Sequence, residues 1–254
     1  RYGAHDTRLA RARIDLARSD SALEHFEPAR ELIRTALDGL TADDDESRGI
    51  RADGLGVLGR LERRAGHFDV ASEVQRRRIG LLRDNPAGSA SALANALGDL
   101  ADSEYRASHF DEALASAREA LGMLQSDPHA MPSEILSARD TLAQVLTELD
   151  RYPEAEALRR RNVELAGRLY GKSHPMFATQ TYQLAEVMRM EGRPVESIPL
   201  FGDALAIYEK SLGSRHSYVA TALTGLAQAQ ANSGQGSAAI ANLKRAYAIY
   251  LAAL

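Results

Sequence analysis

The 254-residue chain contains no cysteine and no tryptophan. Without cysteine there can be no disulfide, no thiolate metal site and no cysteine nucleophile. The compartment stays open, because a large helical core needs no disulfide in either a bacterial cytoplasm or a periplasm. No apolar run reaches the roughly 18–20 residues of a membrane-spanning helix, and no signal-peptide pattern is visible. Arg1 stands where an initiator Met would stand, so a piece of a longer chain is expected. Charge of one sign is lacking too. Thirty-one basic and 35 acidic residues leave a net −4, with no nucleic-acid footprint. Lysine is scarce, at Lys172, Lys210 and Lys244 only; an arginine bias of that kind goes with a GC-rich bacterial genome, by association rather than physics.

Catalytic signatures are also missing. There is no G-x-x-x-x-G-K-[ST], no G-x-G-x-x-G between a strand and a helix, no H-E-x-x-H and no G-x-S-x-G. No catalytic residue, metal site or cofactor is therefore assigned. What the chain does have is 44% hydrophobic and 26% charged residues, the balance of a folded globular protein.

Those residues repeat. Leu16, Leu58, Leu100, Leu142, Leu184 and Leu226 recur every 42 positions, each followed by a small residue: Ala17, Gly59, Ala101, Ala143, Ala185 and Ala227. Ten past each Leu comes Phe26, Phe68, Phe110 or Tyr152, then Pro194 and Gly236. Thirteen past comes Ala29, Ala71, Ala113, Ala155, Ser197 or Ala239. Six such units fill the chain, at about 8–49, 50–91, 92–133, 134–175, 176–217 and 218–254. The register never slips, so a single domain over 1–254 is expected.

Each unit reads as two helices. In the third, Leu93, Leu97 and Leu100 share one helical face, and Phe110, Ala113, Leu114, Ala117, Leu121 and Leu124 share another. Gly66, Gly192 and Gly234 mark the turn within a unit, and Pro86, Pro128, Pro132 and Pro175 mark the joins. First helices are expected near 8–23, 50–65, 92–107, 134–149, 176–191 and 218–233. The small residues let paired helices approach closely, and one hairpin cannot bury its apolar face without a neighbour. The expected fold is all-α, a right-handed α-solenoid of six antiparallel helical hairpins.

This frame explains several suggestive fragments. His25, His67 and His109, also 42 apart, fall at the turns within units. Helices packed roughly 8–10 Å apart keep them from converging on one metal ion, so exposed turn residues are expected. His174 and His216 sit likewise in the joins. "GLGVLG" at 54–59 lies in a first helix rather than a phosphate loop. "RRR" at 76–78 and 159–161 reads as a solvated face, and "ADDDES" at 42–47 as a solvated join.

Leu-Ala in the first helix, Gly-x-aromatic at the turn and Ala in the second helix resemble tetratricopeptide repeats. The usual unit is about 34 residues. The 42-residue unit resembles the longer class of kinesin light chains, whose join is similar to "GRLYGKSHPMFA" at 167–178 and, with Ser217 in place of proline, "EKSLGSRHSYVA" at 209–220. The resemblance implies that first helices line a concave, peptide-binding face. By its contact positions that face carries Arg60, Arg63 and Arg64 in the second unit, and Asn95, Asp102, Tyr105 and Arg106 in the third. The fourth gives Asp140, Gln144 and Glu148, the fifth Tyr182, Glu186 and Arg189, and the sixth Gln228. Arginine dominates the earlier units and carboxylates the fourth and fifth, so a bound peptide would set its acidic part toward the N-terminal half.

The resemblance further implies a non-enzymatic protein- or peptide-binding scaffold, as in C-terminal regions of bacterial serine/threonine kinases, where an enzymatic domain would lie outside this sequence. The alternative is the ligand-sensing domain of a transcriptional regulator, closing on a signalling peptide or small molecule. Neither nucleic acid nor membrane is an expected partner of this stretch. In the last helix, 237–254, Ala246, Tyr247, Ile249, Tyr250, Leu251 and Leu254 crowd together with no charge after Arg245. One helical face buries only part of such a set, which points to self-association there.

Overall fold

A computed structural model of the chain describes residues 6–84 and 89–252. Among them are twelve α-helices and no strand. The first helices of the hairpins are α1 (Thr7–Ala22), α3 (Asp45–Arg64), α5 (Ala90–Arg106), α7 (Pro132–Glu148), α9 (Pro175–Met190) and α11 (Ser217–Asn232). The second helices are α2 (Phe26–Asp38), α4 (Phe68–Arg83), α6 (Phe110–Ser126), α8 (Tyr152–Tyr170), α10 (Pro194–Leu212) and α12 (Gly236–Leu251). Arg1, Pro86 and Leu254, used in reading the sequence, lie outside the described residues.

Each first helix begins a little earlier than its periodicity suggests, most of all α3. Asp44 caps it by accepting a 2.7 Å hydrogen bond from the Ser47 N–H. Asp45 and Glu46 then lie in the first turn, where the helix dipole favours anions. Half of the acidic "join" at 42–47 is therefore helix, a correction whose cause is the cap. His174 and His216 also cap, their Nδ1 atoms accepting from the N–H groups of Met176 (3.1 Å) and Tyr218 (3.2 Å).

The turn between paired helices is the same in all six hairpins. Glu24, Gly66, Ser108, Asp150, Gly192 and Gly234 hold φ between 56° and 86°. The next N–H then reaches back to a carbonyl five residues earlier: His25 to Asp20, His67 to Glu62, His109 to Glu104, Arg151 to Leu146, Arg193 to Met188 and Gln235 to Gln230, all at 2.8–2.9 Å. That bond closes the first helix. Glycine adopts the left-handed conformation without a Cβ penalty, and three of the copies use it.

Packing follows the small residues. Ala17, Ala101, Ala143, Ala185 and Ala227 are fully buried, as are Ala29, Ala71, Ala113, Ala155 and Ser197 on the facing helices. Leu100, Leu142, Leu184 and Leu226 are buried as well. Leu16 is 52% exposed, because among the described residues no second helix precedes α1.

The chain divides into two compact units, Arg1–Thr141 and Leu142–Leu254, with the border inside α7. In the first, α1 to α6 pack in sequence order, and α1 also meets α3 as α3 meets α5. In the second, α8 to α12 pack in order and α9 meets α11. Within each unit the first helices thus pack on one another and on the second helices beside them, as in a tetratricopeptide solenoid. The core of the first unit gathers Ile14, Ile33, Ile50 and Leu61, with Leu97 and Leu100 further on. That of the second gathers Tyr208, Val219, Leu223 and Ile249, with Phe201 and Leu226 beside them.

Candidate ligand-binding cavity

In the first unit, the first helices, with α4 and α6 behind them, line a half-open cavity of about 490 Å³. Its walls come from α3 (Arg60, Arg63), α4 (Arg78), α5 (Asn95, Gly98, Asp99, Asp102) and the start of α7 (Glu134, Ser137, Thr141). Two glycines of "GLGVLG" make it possible. A Cβ on Gly56 would lie 3.0 Å from Arg78 Cζ, and one on Gly59 would lie 2.3 Å from Gln75 Nε2. Without those methyl-sized groups, α4 can lay two polar side chains over the α3 backbone.

Arg78 thereby reaches Asp99. Its Nη1 donates to Asp99 Oδ2 at 3.2 Å, while Arg63 donates to Asp99 Oδ1 at 3.2 Å and faces Asp102 Oδ2 at 3.1 Å. Arg60 approaches the same Asp99 Oδ2, at 3.7 Å. Arg106 closes the row on Asp102 at 3.2 Å. Burial pulls the Arg78 guanidinium below the usual arginine range, and Asp99 pulls it back up. The "RRR" tripeptides thus need correcting. Arg78 points inward, and so does Arg159 in the second unit, 5% exposed with Nη1 donating to Gln183 Oε1 at 2.7 Å. Both sit on the buried stripe of a second helix, where the other units place apolar residues except for Gln75 and Asn162.

Of the side chains that the resemblance assigns to the concave face, Arg60, Arg63, Asn95 and Asp102 meet in this one cavity, and Arg106 joins through Asp102. Arg64 lies apart, its Nη2 3.5 Å from the Ala22 carbonyl and 3.9 Å from Glu24. Tyr105 tilts against Phe110, ring centres 5.9 Å apart. Asp140 is half-buried. In the second unit, Glu186 pairs with Arg189 at 2.7 Å, and Tyr182 sets its edge against Phe201 at 5.3 Å. Burial pushes the Tyr182 hydroxyl well above the usual tyrosine range, with Glu186 adding to the effect. Gln144, Glu148 and Gln228 are exposed.

The arginine-rich end is less bare than its composition suggests. Arg11 pairs with Glu46 at 3.1 Å and Arg18 with Asp53 at 3.1 Å, besides the Asp99 and Asp102 pairs. Sequence reasoning missed Arg78, Asp99 and Glu134. Glycines in mid-helix, where no turn needs them, were the available signal. The turn histidines are half-exposed or more, and His67 Nδ1 lies 2.8 Å from Glu62 Oε2. Among the described residues no group of three or more His, Cys, Asp or Glu could hold a metal ion, and no helix is long and apolar enough to cross a membrane.

Tetratricopeptide-repeat family models match residues 135–175 and 176–252. The fourth to sixth repeats thus match the tetratricopeptide-repeat family, and over the first three the likeness is one of fold alone. BtubC (BKLC) from P. vanneervenii is similar with a TM-score of 0.69 at 19% identity, covering 94% of this chain and 91% of that one. A putative kinesin light chain from Podosopora anserina gives 0.67 at 20% identity, covering 79% and 95%. A Rap protein in complex with Competence and Sporulation Factor gives 0.63 at 14% identity, covering 96% and 77%. No curated protein matches the sequence. The likeness to these structures, each at 20% identity or less, is one of fold, and tetratricopeptide repeats stack into a protein-interaction scaffold with an extended surface for partners.

Proposed function

We propose that this tetratricopeptide-repeat protein is a non-enzymatic peptide-binding module, and that its ligand runs along the first-helix layer over Arg60, Arg63, Asn95, Asp102 and Arg106. The observation that carries the reading is the cavity of about 490 Å³ lined mainly by charged and polar side chains of the first helices and by Arg78 of α4, with only Ala94, Leu124 and Ala138 as apolar side chains. Arg64, Tyr105, Asp140, Gln144 and Glu148 extend the surface, as do Tyr182, Glu186, Arg189 and Gln228 in the second unit. The setting we favour is a bacterial multidomain signalling protein such as a serine/threonine kinase. A ligand-sensing domain of a transcriptional regulator is the second reading, favoured by the polar lining of the cavity. A peptide selected from a displayed library on the immobilised chain provides the test. The Arg60→Ala/Arg106→Ala double variant should melt like the parent and bind that peptide at least about tenfold more weakly. Unchanged binding would move the site to the second-helix face.

We also propose that α12 pairs with α12 of a second copy. It buries only Ala239, Ala246 and Ile249, and leaves Ile240, Leu243, Tyr247, Tyr250 and Leu251 between 45% and 67% exposed. One repeat earlier the same positions are Ile198, Phe201, Leu205 and Tyr208, and α11 covers them. The stripe on α12 is self-complementary under a two-fold axis. It carries no carboxylate, and of its two cations Arg245 is already held by Glu209. Light scattering should give a dimer that Tyr247→Glu with Leu251→Glu turns into a monomer. A monomer in both cases would sink the pairing.

A further inference from the structure

In the second unit, α8 and the start of α9 form an open groove of about 510 Å³. Its lining is Val163, Glu164, Gly167 and Arg168 of α8, Lys172 of the join and Phe177 of α9. None of these is a first-helix position assigned above to the ligand face. The glycine makes the groove. The Phe177 ring lies against its backbone, and a Cβ on Gly167 would stand 3.3 Å from Phe177 Cε2. Two repeats earlier and one repeat later the same position holds Arg83 and Glu209. Each is ion-paired with the residue 36 positions on, in the next second helix: Arg83 with Glu119 at 2.6 Å, and Glu209 with Arg245. With glycine at 167 the corresponding tie to Asp203 on α10 cannot form, and the aromatic floor stays open.

The rim is charged but not paired. Among the described residues, Arg168, Lys172 and Glu164 have no ion partner, whereas Arg151, Arg160, Arg189, Arg193 and Arg245 of the same unit all do. Two exposed cations against one carboxylate leave the lining with a surplus positive charge. Long cationic side chains can also lay their apolar stems along a buried guest while their heads stay in water. The hollow at the same register in the first unit is different. Leu37, Asp38 and Arg51 stand there in place of Val163, Glu164 and Phe177. Arg51 donates to the Leu40 and Ala42 carbonyls at 2.6 and 2.9 Å, so that floor is polar where the other is aromatic.

We propose that this groove docks a partner protein through one large apolar side chain, laid on Phe177 in the gap over Gly167, with a carboxylate next to it reaching Arg168 and Lys172. The surface is separate from the first-helix face and does not rest on the ligand proposed for that face. Gly167 is the specificity-determining residue, because any longer side chain there takes the place that the partner's would fill. Charge selects the flanking residue. A basic neighbour would press against Arg168 and Lys172, and an acidic one restores balance.

The chain has only five phenylalanines, which gives the test a direct readout. Labelled with fluorophenylalanine, the whole chain should show one 19F signal for each, and Phe177→Leu identifies the one that matters. Titration with the capped tripeptide Ac-Ala-Leu-Glu-NH2 should shift that signal with a millimolar Kd. Alanine in place of the peptide's leucine should remove the shift up to about 50 mM. Lysine in place of its glutamate should weaken binding at least about fivefold. Gly167→Gln copies the exposed Gln125 of the third repeat. It should melt no lower than the parent, since glutamine is a better helix former than glycine, and it should lose the response. Arg168→Gln with Lys172→Gln should bring the glutamate and lysine peptides level. The Arg60→Ala/Arg106→Ala variant should keep every shift, so the two surfaces stand or fall separately. No movement of the Phe177 signal up to about 50 mM, equal binding of the leucine and alanine peptides, or full binding to Gly167→Gln would overturn the proposal. Tighter binding of the lysine peptide would overturn it in favour of a basic partner held by Glu164.

Discussion

Replacing Phe201 with alanine is expected to cost about 3–5 kcal/mol, while Leu243→Ala, one repeat later at the same register, is expected to cost less than about 0.5 kcal/mol. Phe201 is fully buried. Its ring packs against Tyr182, Leu226 and Ala229, and it lies so near Gly225 that a Cβ there would be 2.7 Å from Phe201 Cε1. Removing the ring leaves a cavity whose walls are helices α9 and α11, and two packed helices cannot collapse into it without breaking their own contacts. Leu243 fills the equivalent place on α12 but is 45% exposed, since among the described residues no next first helix lies over it. Urea melts followed by circular dichroism, at a concentration where the chain is monomeric, measure both. Equal costs would mean that Leu243 is as well covered as Phe201, and that α12 is covered from within the chain.

The contrast between those two positions shows what the amino-acid order could and could not reveal. The 42-residue register located all six turns and every helix pair, because buried small residues recur without a slip. Helix starts were less legible, since capping by Asp44, His174 and His216 depends on backbone geometry rather than on periodicity. The turn conformation was half-hidden for another reason. Glu24, Ser108 and Asp150 take the positive φ that Gly66, Gly192 and Gly234 advertise. Arg60, Arg63, Asn95 and Asp102, picked by their first-helix positions, lie together in the cavity. Arg78 could not be picked from "RRR" without knowing that the helix stripe through Ala71 and Gln75 is buried. The pairing of Asp99 with three arginines is a property of two stacked units, and no single unit carries it.

Glu62→Gln should produce the other large loss, about 3 kcal/mol near neutral pH, at the lower end of what removing one partner from a buried ion pair costs. The Glu62 side chain is 5% exposed and accepts from Arg30 Nε at 2.7 Å and Nη2 at 2.9 Å, with His67 Nδ1 2.8 Å away. Arg30 keeps 28% exposure, so water softens its loss of partner. Burial by itself would raise the Glu62 pKa, yet Arg30 and then His67 outweigh it, and the carboxyl ends below its ordinary value of 4.5. A carboxyl depressed in the folded state binds fewer protons there than in the unfolded chain. Its contribution is therefore complete above that ordinary value and fades as pH falls through the folded one. Glu156, held low by Arg160 and Arg193 against its own burial, fades in the parent and the variant alike and cancels in the difference. Urea melts of both proteins from about pH 7 to about pH 3 should thus show a gap that narrows below pH 4.5. Glu104 stands at the same register, 3% exposed and held by Arg76 at 2.7 Å and Ser116 at 2.9 Å. It is untouched by the substitution, so the narrowing gap reports on Glu62 alone. A gap that stays constant down to pH 3 would mean that Arg30 and Glu62 are not ion-paired in solution and that the cost of the variant lies in packing.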